Sequence, residues 1–145
     1  MHPLERSLGY RFSDNRYLER AVTRRAYAND NHLPDNSHQD ALAVLGDAVI
    51  TTIVLKKVLN SSIDDKGEVT EQKIGQIRGP RLTEVARRME LQKEVRWGAG
   101  ETKQEVWLKE RPLGECLEAI IGAVFLDGGL DCCESVMRYI SFAES

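Results

Sequence analysis

Two stretches of this chain are apolar enough for a core yet carry acids at regular intervals. Residues 40–59 read DALAVLGDAVITTIVLKKVL, and residues 112–126 read PLGECLEAIIGAVFL. In both, apolar side chains recur at helical rather than alternating spacing. The same period runs through almost the whole chain, and no β-branched run is framed by hairpin turn residues, so an all-α fold is expected. The spacing predicts helices over 14–29, 37–60, 66–78, 80–91, 112–126 and 130–142, with a short one near Leu4. Asp14 and Ser37 are placed to cap first turns, while Pro80 and Pro112 suit first-turn positions that need no amide donor. LDGGLD at 126–131 reads as a break between two helices, and residues 29–37 and 97–111 as loops. There is no internal repeat.

Each apolar helix carries an acidic stripe. Residues at i, i+3 and i+7 fall within about 60° of one another on a helix. Asp40, Ala43 and Asp47 therefore share a face, as do Glu115, Glu118 and Gly122. Gly46 and Gly122 remove side chains beside the stripes, which lets the helices approach closely. An ionised carboxylate buried without a partner is costly, and clustered carboxylates repel one another, so a compensating positive group is required. Few cations lie within these two helices. A hard divalent ion such as Mg²⁺ takes oxygen ligands and shares its shell between carboxylates and water. Exposed acids and a metal site both fit the stripes.

The remaining chain bounds the answer. Its 145 residues, 41% of them hydrophobic, suit one domain over 1–145 with a single core. No basic start leads into an apolar run, and no stretch approaches the roughly 20 apolar residues of a membrane span, so a soluble, cytoplasmic protein with no membrane partner is expected. Cys116, Cys132 and Cys133 fit neither a zinc site nor a disulfide framework and are expected to be reduced thiols. A net charge of −3 argues against a nucleic-acid partner for the chain as a whole. Between Lys73 and Arg96, however, seven basic residues face three acidic ones. A solvated helical face and a phosphate-contacting face both fit that segment.

The motifs LGYRFSDNRYLERAVTRRAYAND, DALAVLGDAVI, KGEVTEQKIGQIR, WGAGE and ECLEAIIGAVFLDGG resemble the endonuclease domain of ribonuclease III, in the same order and at similar separations. The resemblance covers nearly the whole chain. It implies an all-helical domain that forms a homodimer, binds double-stranded RNA across the dimer and hydrolyses phosphodiester bonds with Mg²⁺, or Mn²⁺ in its place. It further implies that Asp47 and Glu118 are catalytic metal ligands, that Glu115 joins them directly or through water, and that Asp40 orients a lysine or water in the outer shell. Arg78, Arg81, Arg87 and Arg88 would contact RNA.

The departures from the family pattern are specific. Ala43 stands where the signature N-E-R-L-E-F-L-G-D has its second glutamate, a metal ligand. Asp40 replaces the first glutamate, and Glu115 replaces the aspartate of D-x-x-E. Val44 stands where the family has a phenylalanine that plugs the partner subunit, so the dimer contact is expected to be smaller. Thr23 and Arg24 replace T-H. The length leaves no room for an appended double-stranded-RNA-binding domain, so RNA affinity is expected from this domain or another protein. Three functions fit: a weakened metal-dependent endoribonuclease, a non-catalytic RNA-binding or scaffold module, and a purely structural helical protein.

Overall fold

The computed structural model describes residues 1–77 and 79–140. Its centre is a pair of long helices, α4 (Asp40–Asn60) and α8 (Arg111–Tyr139), packed chiefly against each other. Leu42, Gly46, Val49, Ile50, Ile53, Val54 and Val58 form the buried stripe of α4. Leu113, Leu117, Ile120, Ile121 and Val124 belong to that of α8. The crossing is tight because both helices carry glycine at it. A Cβ on Gly46 would lie 2.6 Å from the Glu118 carbonyl carbon, and one on Gly122 would lie 3.1 Å from that of Leu42.

The other helices enclose this pair. Helices α2 (Asn15–Ala21) and α6 (Gly79–Arg88) pack on α8, α5 (Lys66–Ile77) packs on α4, and α3 (Arg25–Asp30) meets the short α7 (Ala99–Lys103). Helix α1 (Pro3–Leu8) starts with a capping box, in which the His2 side chain accepts from the Leu4 amide and Glu5 accepts from the His2 amide. No strand occurs among the described residues, which agrees with the all-α expectation, and Thr23 and Arg96 form an isolated parallel bridge. The three cysteines are free thiols. None of the described helices is long and apolar enough to cross a membrane.

Several expected boundaries are corrected. The helix predicted over 14–29 is two, α2 and α3, because residues 22–24 give their backbone groups to distant partners. Arg96 donates to the Val22 carbonyl at 2.7 Å, Arg24 donates to that of Arg96 at 3.1 Å, and Gln39 donates to that of Thr23 at 2.9 Å. Asp14 does cap α2, accepting from the Arg16 amide at 3.0 Å. Ser37 caps nothing: its hydroxyl donates to the Pro34 carbonyl inside a 3₁₀ turn, Asp35–Ser37, and α4 begins at Asp40.

Residues 97–111 are less loop-like than expected, holding α7 and a 3₁₀ turn, Val106–Leu108. Helix α6 ends at Arg88 rather than Leu91, and Glu90 turns the chain with φ 54°. Across LDGGLD the expected break is present, as a kink between two helical segments of α8. Gly129 there adopts φ 85° and ψ −175°, a conformation open to glycine. The expected end of the last helix at Phe142 lies outside the described residues.

Candidate active site

The crossing of α4 and α8 opens into a cleft of about 850 Å³ that gathers the acids of both stripes. Asp40, Ala43, Val44 and Asp47 line it from α4, Glu115 and Glu118 from α8, and Arg24, Arg25 and Glu101 from the opposite wall. All four acids singled out in the sequence thus share one cavity. They are less buried than their apolar helices implied: Asp40, Asp47 and Glu115 are exposed, and Glu118 is half-buried. Each projects from the rim of the helix pair, where water still reaches it.

Asp47 and Glu118 interact across the helix pair. Burial, a hydrogen bond to Asp47 and the charges of Asp47 and Glu115 push the Glu118 carboxyl up to about 8, against a weaker opposing pull from Arg111. At neutral pH without metal, the pair therefore retains a proton that a cation would displace. Among the described residues, no three His, Cys, Asp or Glu side chains converge closely enough to hold an ion together. A two-carboxylate site still fits Mg²⁺, which keeps several waters and is often held by one or two carboxylates.

Glu118 binds its proton more tightly in the folded state than in the unfolded one. The Glu118 contribution to metal-free stability is therefore fully present below the ordinary value of 4.5 and is lost as pH rises from there to about 8. Urea unfolding between about pH 5 and about pH 8 is expected to show this decline in the wild type and a flatter profile in Glu118→Gln. Parallel profiles would contradict the shift.

Glu115 faces a different partner. Arg24 donates to its carboxylate at 3.4 Å, to Glu101 at 2.7 Å and to the Gln39 side-chain carbonyl at 3.1 Å. The guanidinium also lies 5.4 Å over the Trp97 ring. Burial opposes its charge, but hydrogen bonding to Glu101 and the surrounding negative charge outweigh burial and raise its pKa above the ordinary arginine value. Arg24 is the site residue that helical periodicity did not reveal. Its only mark in the sequence is the arginine after Thr23 where the resembled family has histidine. Among the described residues the groups paired with Asp40 are Arg25 at 3.9 Å and His38 at 4.0 Å, and no lysine.

Of the arginines expected on RNA, Arg81, Arg87 and Arg88 do not line this cleft. Arg87 and Arg88 border a separate groove with Thr83 and Leu108. Arg87 donates to the Leu108 and Lys109 carbonyls at 3.1 and 3.4 Å, fastening the turn beside it, while Arg88 is exposed. Arg81 is half-buried on α6, and Arg78 lies outside the described residues. Val44 is 74% exposed at the cleft rim, an apolar side chain with little cover from its own chain.

Comparison with known proteins follows the same outline. The chain is 32% identical over 133 residues to ribonuclease 3 of Shewanella amazonensis, covering 91% of this chain and 56% of that protein. It is 34% identical over 136 residues to ribonuclease 3 of Haemophilus influenzae, with 93% and 57% covered. It spans little more than half the length of these relatives. The nuclease domain of ribonuclease III from Campylobacter jejuni, which has a region involved in dimer formation, superposes with a TM-score of 0.86 at 25% identity. That match covers 97% of this chain and 95% of that one. The ribonuclease-III-like family profile matches residues 14–143, and the chain belongs to that family.

Proposed function

We propose that residues 1–145 form one metal-dependent endoribonuclease domain acting on double-stranded RNA, with its active site in the α4–α8 cleft. The observation that carries this reading is the meeting of Asp47 and Glu118 from two helices at a glycine-lined crossing, in a chain of the ribonuclease-III-like family. Asp47 and Glu118 would hold Mg²⁺, or Mn²⁺, and Glu115 would contribute through water while remaining on Arg24. When bound, the ion would lower the pKa of a water and offset negative charge developing on the leaving oxygen. Glu118 must first release its proton, which ties metal binding to pH. Asp40 and Arg25 form the outer edge of the cleft, where Arg25 is exposed enough to meet a phosphate.

Duplex RNA offers shape, 2′-hydroxyls and phosphates rather than readable base edges. Contacts from Arg81, Arg87 and Arg88 therefore add affinity but no sequence choice. A cytoplasmic location accompanies this reading. The test is cleavage of long duplex RNA with Mn²⁺ beside Asp47→Asn.

The vacancy of a carboxylate at Ala43 bears on strength. Ala43→Glu adds one on the Asp47 face, and a charge-assisted contact contributes about 1.5–3 kcal/mol. The Mn²⁺ concentration for half-maximal cleavage is then expected to fall about tenfold or more. A catalytically inactive RNA-binding or scaffold module is the second reading. It is favoured by Ala43 and by the tie between Glu115 and Arg24. Under it, Ala43→Glu loses stability that Mn²⁺ does not restore and yields no cleavage.

The active form is a homodimer with Val44 at its contact. The motivation is the exposed apolar side chain on a helix whose other face is already buried. Val44→Asp is expected to shift sedimentation at roughly tens of micromolar from dimer to monomer. Its unfolding midpoint should move little, since exposed substitutions typically change stability by about 0.5 kcal/mol or less. A wild type that sediments only as a monomer would contradict the dimer.

A further inference from the structure

The positive charge nearest the acids comes from the protein itself. Arg24 is held at both ends of its residue. Its backbone amide donates to the Arg96 carbonyl, and its guanidinium divides its donors among Gln39, Glu101 and Glu115. Gln39 is itself fixed, fully buried and donating to the Ala21 carbonyl at 2.8 Å. Glu101 is fixed as well, accepting from the Gly98 amide at 3.1 Å with its other oxygen. The Arg24 and Glu101 side chains are 15% and 17% exposed, against 49% for Glu115. A guanidinium stays charged at every accessible pH, so this charge cannot be titrated away.

We propose that Arg24 is a built-in cation of the cleft, holding Glu101 and Glu115 and keeping a divalent ion off both. Where the nuclease reading above holds, this confines metal to the Asp47–Glu118 pair. Arg24 is then a positioning residue that sets how many ions the cleft accepts. A divalent ion on Glu115 would have to displace Arg24 from that carboxylate and sit beside a fixed positive charge, well inside the roughly 10 Å over which salt screens repulsion. With the guanidinium removed, Glu101 and Glu115 become a second pair of unpaired acids, which favour a cation.

Mn²⁺ stoichiometry on the full chain, read by calorimetry and by electron paramagnetic resonance, tests this. Arg24→Gln is expected to bind one more Mn²⁺ per chain than the wild type, and Arg24→Lys, which keeps the charge, to match the wild type. Equal stoichiometry and affinity in the wild type and Arg24→Gln would overturn the proposal, as would two ions per wild-type chain. If Arg24→Gln unfolds without metal, recovery of its thermal midpoint on Mn²⁺ titration supports the proposal, and failure to recover overturns it. A wild type that binds none, with Arg24→Gln binding one, would sink the metal-nuclease reading while sustaining the role of Arg24.

Discussion

Gly122→Ala is expected to cost about 3 kcal/mol of stability or more, beyond most single substitutions. The added Cβ would meet the Leu42 carbonyl group, with its carbon 3.1 Å away and the Gly46 amide nitrogen at 3.2 Å. These are backbone atoms of a facing helix. They cannot rotate aside as a side chain does, so α4 and α8 must separate. Gly46→Ala drives a Cβ into the Glu118 carbonyl in the same way. Gly100→Ala is the control: nothing lies within 4 Å of its added Cβ, and alanine in a helix is favoured over glycine by about 0.5–1 kcal/mol. Urea midpoints of the three variants measure the difference, and a Gly122→Ala midpoint equal to that of Gly100→Ala would refute the close crossing. The crossing bears on function because the separation needed to admit a methyl group also moves Asp47 away from Glu118.

The two central helices and their acids were legible because they follow from local repetition. Apolar residues at helical spacing placed α4 and α8, the same spacing aligned Asp40 with Asp47 and Glu115 with Glu118, and two glycines beside the stripes marked the contact. What the sequence did not display depends on distant partners. The helix predicted over 14–29 breaks because its backbone pairs with Arg96, and the Thr23 hydroxyl accepts from the Arg96 side chain 73 positions away. No local propensity encodes that exchange.

Arg24 escaped for the same reason. It lies in neither apolar helix, and its three partners come from the start of α4, from α7 and from α8. Few cations within the two helices correctly described those helices, but the compensating charge arrives from outside them. Exposure of the acids was left open by the sequence for a related reason: α4 and α8 meet along one side and open into the cleft on another, which leaves Asp47 and Glu115 exposed.

The most direct test of the nuclease reading is cleavage of a long RNA duplex by the wild-type chain and by Asp47→Asn, across a Mn²⁺ series and with a chelator. Asp47→Asn removes an anionic oxygen from the pair that holds the ion and leaves Glu118 with a neutral neighbour. Asp47 is exposed, and its side chain contributes little to the core, so the fold should persist. Its loss is therefore expected to lower the cleavage rate by about 100-fold or more, the scale at which removing one stabilising group from an electrostatic site is felt, with an unchanged circular dichroism spectrum and unchanged duplex binding. The wild type is expected to cleave only with divalent metal and to stop on chelation. A wild type that binds duplex RNA but leaves it intact at every Mn²⁺ concentration, or an Asp47→Asn variant that cleaves at the wild-type rate, would contradict the assignment of this cleft as a metal-dependent nuclease site.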